Sequence, residues 1–365
     1  MKKTIKILSI CFLTILIFIG CNRFVSNSYE KYSNSFFDTF DTMTVVVGYT
    51  KSEEEFNYYM DKIHCRFKEL HKLYDIYNNY EGINNIKTIN DNAGIKPVKV
   101  NKDLIDLIVF SKDWCKRTEG KANIAMGSVL SIWHDYREHG IDDPENAKLP
   151  STEELLEANK YTDIDKVIVD TKNSTVYLED KKMKLDVGAI AKGYATELVA
   201  KEIMEEGFKS GIISSGGNIR VLDKPLDGVR KRWGIGIQNP NKSIVADEDK
   251  NIDTIFINNA SVVSSGDYQR YYIVNDKRIH HIIDPKTLMP GEYYRAVTIV
   301  TKNSALADLL STAIYLMPYI QSRDFVERLE GVEAIWVMPN GKIEATKGME
   351  KIMKSKGASG AKSSL

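Results

Sequence analysis

The chain has little cysteine: four in 365 residues, at positions 11, 21, 65 and 115, with no CxxC pair and no histidine at zinc-ligand spacing. That excludes a disulfide framework and a cysteine-based zinc site. It also lacks an excess of either charge, since 50 Lys+Arg stand against 50 Asp+Glu. Without a basic field to hold a phosphate backbone, no nucleic-acid partner is expected. Long apolar runs are missing too. The main one, Ile7 to Ile19, is about 13 residues, short of the roughly 20 that a membrane-spanning helix needs. No internal repeat is evident. What is plentiful is core material, 43% hydrophobic and 10% aromatic, enough for one large domain or two ordinary ones, which excludes a disordered or fibrous chain.

The short apolar run follows a basic segment, Met1-Lys2-Lys3-Thr4-Ile5-Lys6, and so reads as the core of a signal peptide. It ends in Phe18-Ile19-Gly20-Cys21, which resembles the bacterial lipobox, where a small residue precedes the cysteine that receives diacylglycerol; Phe18 stands where Leu is commoner. A plain secretory signal with an incidental Cys21 is the alternative. The lipobox reading makes residues 1–20 a lipoprotein signal peptide and Cys21 the lipidated N-terminus. Residues 21–36, rich in Ser, Asn and Tyr, are then a tether, 37–347 the folded body, and 348–365 a disordered tail. The expected location is the extracytoplasmic face of the cell membrane. Losing Lys2, Lys3 and Lys6 leaves a net charge of −3, so the lipid would anchor the chain with little electrostatic help.

Within the body, Thr42 to Tyr49 is β-branched and short, a strand, and Ser52 to Leu73 repeats apolar residues at helical spacing. Asp103 to Thr118 is a second helix. Residues 137–150 form a polar, Pro-containing loop, and Ser151-Thr152-Glu153-Glu154 caps a third helix. Val167–Val169 and Thr175–Leu178 pair as a hairpin, and a helix runs from Ala189 to Glu206. Beyond Gly211 short strands dominate, at 211–213, 232–237, 254–257, 261–263, 271–274 and 296–300. A helix from Ser304 to Met317 and a strand pair, 334–337 and 342–345, complete an α+β body with mixed or antiparallel sheets and flanking helices.

Four segments carry chemistry. Asp186-Val187-Gly188-Ala189-Ile190-Ala191-Lys192-Gly193-Tyr194 places a carboxylate, small residues and a Lys where a strand turns into a helix. That suits phosphate at a helix N-terminus, or simply tight packing with a surface Lys. Gly216-Gly217-Asn218-Ile219 follows an apolar strand, as an anion nest or a turn. Ser264-Ser265-Gly266-Asp267-Tyr268-Gln269-Arg270 precedes His280-His281-Ile282-Ile283-Asp284-Pro285, where adjacent histidines on extended chain point to opposite faces and at most one faces a given site. In the helix Ser304–Ala313, Asp308 and Thr312 share a face with Ser311 adjacent. One carboxylate plus hydroxyls suits a hard cation such as Mg2+. Equally, Asp308 could favour the helix dipole while Ser311 and Thr312 bond back to their own helix.

Taken in order, these segments resemble the FAD:protein FMN transferases, the ApbE family, over nearly all of residues 37–347. Asp186 to Tyr194 is similar to the family's D-x-G-G-I-A-K-G-Y, with Ala189 for the second Gly. Gly216-Gly217-Asn218-Ile219 matches G-G-[ND]-[IV], Ser264–Tyr268 stands for T-S-G-D-Y, His281-Ile282-Ile283-Asp284-Pro285 matches unchanged, and Ala307–Ala313 resembles A-D-x-L-S-T-A. Upstream, Phe40-Asp41-Thr42 replaces Met-Gly-Thr, Tyr77 is the tyrosine after the first helix, and Ala122-Asn123-Ile124-Ala125-Met126-Gly127-Ser128 stands for F-D-[IP]-T-[VM]-G-P. Asn123 thus replaces the Asp and Ser128 the Pro.

The resemblance implies a single two-lobed, T-fold-like α+β domain. It implies a reaction in which FAD and a Ser or Thr hydroxyl of a target protein give phosphoester-linked FMN and AMP. Mg2+ would be held by Asp308, Ser311, Thr312 and the Ala189 carbonyl. FAD would meet Phe40, Tyr77, Ala122, Asn123, Asp186, Lys192, Gly216, Gly217, Asn218, Ser265, Gly266, Asp267 and Ile282. His281 would activate the target hydroxyl. The implied partners are acceptor flavoproteins, among them membrane electron-transfer complexes. Two alternatives use the same site: FAD hydrolysis to FMN and AMP, and non-catalytic flavin binding by an extracytoplasmic lipoprotein.

Overall fold

The computed structural model describes residues 29–241 and 251–361; the signal peptide and Cys21 lie outside them. The chain opens with an antiparallel hairpin, β1 (Glu30–Thr39) and β2 (Thr42–Thr50), paired from Glu30↔Thr50 to Thr39↔Thr42 with an irregularity between Phe36 and Thr39. Helix α1 (Glu53–Tyr74) follows. Ser52 caps it by accepting from the Glu55 amide at 3.2 Å, and Glu53, Glu54 and Glu55 fill the first turn, where the helix dipole favours acids. Its buried stripe, Phe56, Tyr59, Met60, Ile63, Phe67, Leu70 and Leu73, keeps the spacing of one helix face.

Next come α2 (Ile86–Asp91), β3 (Val98–Lys99), α3 (Lys102–Arg117), α4 (Gly127–Asp142), α5 (Thr152–Asn159), β4 (Val167–Asp170), β5 (Thr175–Leu178) and α6 (Ala191–Glu205). The C-terminal half holds β6 (Gly211–Ser215), β7 (Asn218–Leu222), β8 (Trp233–Gln238), β9 (Asn251–Ile257), β10 (Ser261–Gly266), β11 (Tyr271–Val274), β12 (Lys277–His280) and β13 (Ala296–Thr301). It closes with α7 (Ser304–Tyr315), α8 (Tyr319–Glu327), β14 (Glu333–Val337), β15 (Ile343–Ala345) and α9 (Lys347–Glu350).

An eight-stranded antiparallel sheet in the order β1-β2-β6-β7-β10-β13-β14-β15 forms the frame. One face packs on α1, α6 and α7 around Ile63, Phe67, Val199, Leu310 and Trp336. The other is covered by the β8–β9 ribbon and the C-terminal segment, with Trp233, Ile255, Met349 and Met353 packed on Tyr49, Val221, Val262 and Val300. Covered on both faces, β13 is buried at every position, which explains its unbroken Ala-Val-Thr-Ile-Val-Thr. The expected α+β class with antiparallel sheets is the one observed.

Three boundaries differ from the sequence reading. Residues 30–36, expected in the tether, belong to β1: Tyr32 and Phe36 point to one face and lie on α1, with ring centroids 5.7 Å from Phe56 and 4.3 Å from His64. Their spacing was masked by the polar residues between them. Residues 348–361, expected in a disordered tail, are folded. Met349 and Met353 fill the second core, and the Lys231 amide donates to the Gly360 carbonyl at 2.9 Å. Residues 137–142, expected in a loop, continue α4: Glu138, His139 and Asp142 face outward, Arg137 turns toward the cleft, and Gly140 lies so close to the Tyr272 ring that a Cβ would stand 2.5 Å from it.

Candidate active site

A cleft of about 730 Å3 runs along one end of the large sheet and collects residues from hairpin turns, helix starts and loops. The β1–β2 turn supplies Phe40 and Asp41 at φ +55° and +49°. A left-handed aromatic residue is strained; here packing holds it, with the Phe40 ring against Phe67, His71 and Tyr74 and its amide donating to His71 Nδ1 at 3.2 Å. The β6–β7 turn lies alongside. Gly216 and Gly217 have φ +54° and +91°, and a Cβ on Gly216 would come within 2.4 Å of Thr42 Oγ1. The glycines are therefore required by a tight hairpin and by contact with the neighbouring turn, whatever ligand they also meet.

Asp186 and Asp308 both face this cleft. The Asp186 backbone is fixed by its amide donating to the Ile124 carbonyl at 2.8 Å, and its Oδ1 accepts the Gly188 amide at 2.8 Å. Burial raises the carboxyl pKa, against the Gly188 amide, His134, Arg270 and Lys192. Five residues later, at Ala191, α6 begins, with Lys192 in its first turn. Gly193 then lies against α7: a Cβ there would be 2.4 Å from both Asp308 Cβ and the Ser304 carbonyl. That approach lets the Gly193 amide donate to Asp308 Oδ2 at 2.8 Å. Asp308 is 6% exposed. Burial raises its pKa, opposed by Lys192, the Gly193 amide and Asn218.

The residues beside Asp308 divide into two kinds. Thr312 and Ala189 line the cleft, and the buried Asn218 side-chain oxygen has no hydrogen-bond partner. Ser311 stands behind, its Oγ donating to the Asp308 carbonyl at 2.8 Å and sharing a hydrogen bond with Ser265 Oγ at 2.8 Å. Asp308 thus bonds to an amide of the neighbouring helix, whereas Ser311 does bond back to its own. A buried carboxylate, a hydroxyl, the backbone of the exposed Ala189 and an orphaned amide oxygen offer the hard oxygens that fit Mg2+. Among the described residues no cluster of three or more His, Cys, Asp or Glu side chains could hold a metal by itself.

The two adjacent histidines separate as the alternation of extended chain requires. His280 is buried, with Nε2 bonded to the Gly291 carbonyl at 2.8 Å and Nδ1 accepting the Ile282 amide at 3.2 Å. His281 has Nδ1 at 3.2 Å from the Arg270 carbonyl, an oxygen that can only accept, so its proton is on Nδ1 and Nε2 carries the free lone pair. Burial, then the Arg270 guanidinium and His280, push its pKa down to about 3. Ile282 lines the cleft next to it, and Asp284 pairs with Lys121 at 2.9 Å through both oxygens, tying the segment after β12 to the 121–126 loop.

Tyr77 is presented by a loop that Asp75 organises, accepting from the Tyr77 amide at 2.7 Å and from Tyr80 Oη at 2.7 Å. Ala122 and Asn123 also line the cleft. Asn123 shapes its own loop, accepting from the Ala125 amide and donating to the Thr162 carbonyl, both at 2.9 Å. Asp267 stands beside the cleft and not in its lining: its carboxylate pairs with Arg295 at 2.7 Å and Arg278 at 3.4 Å, while Ser265 and Gly266 reach the opening. The sequence reading also missed residues. Met126, Leu130, Trp133, His134 and Arg137, from the start and first three turns of α4, line the cleft, as does Arg270. The helical spacing of Met126, Val129 and Trp133 was the available signal, and Arg270 lay within a segment already singled out.

The family model described as the ApbE family matches residues 38–336. Among curated proteins, the FAD:protein FMN transferase of Treponema pallidum is 29% identical over 276 residues, covering 72% of this chain and 73% of that protein. That of Klebsiella pneumoniae is 29% identical over 256 residues, covering 70% and 75%. Among solved structures, the ApbE protein of Thermotoga maritima superposes with a TM-score of 0.77 at 27% identity, over 88% of this chain and 99% of the other. The flavin transferase ApbE from Vibrio cholerae gives 0.71 at 20% identity over 89% and 99%, a likeness of fold.

Proposed function

The chain belongs to the ApbE family, and we propose from that footing that it is a Mg2+-dependent flavin transferase that moves FMN from FAD to a Ser or Thr hydroxyl of an acceptor protein, releasing AMP. The acceptor oxygen bonds to the FMN phosphorus, the bond from that phosphorus to the AMP oxygen breaks, and the hydroxyl proton is taken up by a base. The observation that carries this reading is the convergence of a buried carboxylate, Asp308, with Lys192 and a lone-pair-bearing His281 in one cleft.

Each group has a task. Lys192 meets the pyrophosphate charge, and the Gly216–Gly217 turn lets the phosphates approach backbone closely. Phe40 and Tyr77 offer aromatic faces to FAD's rings. Nε2 of His281 receives the acceptor proton; its low affinity for protons in the free protein, caused first by burial and then by the Arg270 charge, keeps it unprotonated at neutral pH, and bound pyrophosphate would offset the Arg270 part. Asp308, Thr312 and the Ala189 carbonyl would hold Mg2+, with Ser311 positioning Asp308 and Ser265. Bound there, Mg2+ supplies Lewis-acid neutralisation of the pyrophosphate. Incubating the protein with FAD, Mg2+ and a candidate acceptor tests the reading by mass: an acceptor gaining FMN supports it, whereas free FMN and AMP alone make the enzyme an FAD hydrolase, and unchanged FAD refutes catalysis.

The acceptors this reading favours are extracytoplasmic flavoproteins, including subunits of membrane electron-transfer complexes, because the N-terminal segment reads as a lipoprotein signal. The chain would then sit on the membrane through diacylated Cys21. Fractionation checks this: Cys21→Ser should move the protein to the soluble fraction, and unchanged membrane association contradicts the anchor.

A further inference from the structure

Helix α4 brings two polar side chains to the cleft. Its position is fixed by Trp133, whose Nε1 donates to the Leu288 carbonyl at 2.9 Å, and by the buried cluster of Met126, Val129, Trp133, Ile283 and Leu288. One residue on, the His134 ring lies 5.4 Å from that of Tyr77 with a 39° tilt. Rings that close admit no third ring between them, so Tyr77 and His134 form one continuous wall. Behind His134, the Arg137 guanidinium places Nη2 at 2.7 Å from His134 Nδ1. A guanidinium only donates. Nδ1 must therefore accept, and the proton of the imidazole is on Nε2. His281, across the same cleft, is held in the opposite sense by a carbonyl. One imidazole presents a donor and the other an acceptor.

We propose that His134, with its tautomer fixed by Arg137, is a specificity-determining residue for one of FAD's two ring systems, donating from Nε2 to a nitrogen or oxygen on the edge of the ring that rests on Tyr77. This rests on the flavin-transferase reading. Isoalloxazine and adenine both carry edge acceptors, so the shared chemistry is a planar heteroaromatic ring with an acceptor at its rim, and the experiment separates the two.

The test is a set of titrations of the full chain, wild type, His134→Phe and His134→Gln, with FAD, FMN and AMP, alongside thermal melts. His134→Phe keeps the flat wall and removes the donor; His134→Gln restores an N–H. His134→Phe should weaken FAD by about three- to tenfold, the worth of one hydrogen bond, and His134→Gln should recover part of it. The loss should appear with only one fragment, FMN if the ring is isoalloxazine and AMP if it is adenine. Wild-type affinity in His134→Phe overturns the proposal, as does an equal loss in both variants or an equal loss for both fragments. A wild-type protein that binds no FAD would overturn the flavin-transferase reading and this proposal with it, whereas the other outcomes strike this proposal alone.

Discussion

The backbone amide of Gly193 donates to Oδ2 of Asp308 across the α6–α7 contact at 2.8 Å, and the two residues are so close that no side chain fits between them. The glycine thus has two roles at once: it permits the helices to touch, and its amide holds Oδ2 and so fixes how the carboxylate is presented.

Gly193→Ala should separate the helices or misplace Asp308, because its Cβ would stand 2.4 Å from Asp308 Cβ and the Ser304 carbonyl. Overpacking of this kind costs about 1–3 kcal/mol. The expected result is a lower melting temperature and a loss of transfer larger than the loss of FAD affinity. A variant with wild-type turnover would show that the contact does not position Asp308.

His281 should behave as a neutral imidazole with its proton on Nδ1. Its pKa is pushed down to about 3 from an ordinary 6.5, so the folded chain gives up a proton that the unfolded chain keeps. Stability from this group is therefore present above about pH 6.5 and is lost as the pH falls toward 3. Nitrogen chemical shifts of the ring, followed by NMR from pH 8 to 5, check both the charge and the tautomer; titration near 6.5 would contradict them. His281→Ala should lower transfer by about 10²- to 10⁴-fold, the usual contribution of a general base.

How much of this was legible in the sequence depended on whether local residues decided the outcome. Helix α1 was readable because its apolar stripe and Ser52 cap lie in one stretch. So were the glycine turn and the Asp308–Thr312 face. The pairing of Asp267 with Arg278 and Arg295 could not be read, because it joins distant residues and no local pattern records it. The folded C-terminal segment was missed for a similar reason: Met349 and Met353 are isolated apolar residues until the β8–β9 ribbon gives them a surface. Arg137 went unread because residues 137–150 look like a loop, and His134 because a single histidine on a helix carries no pattern of its own.

Asp267→Asn should leave FAD affinity unchanged and lower stability by about 1–2 kcal/mol, since it breaks partly exposed pairs with Arg278 and Arg295. Calorimetry and a flavin titration on the same preparation separate the two effects. A marked loss of FAD binding with an unchanged melting temperature would show that Asp267 contacts the ligand.

The most direct measurement is Mg2+-dependent AMP release from FAD, with acceptor present, by wild type and Asp308→Asn. Asn keeps the shape and an acceptor oxygen for the Gly193 amide while removing the charge that burial makes costly, so stability at pH 7 should be equal or higher. AMP release and acceptor flavinylation should fall to background with FAD still bound, because the proposed Mg2+ site would lose its one side-chain carboxylate. Wild-type AMP release by a well-folded Asp308→Asn would contradict the account.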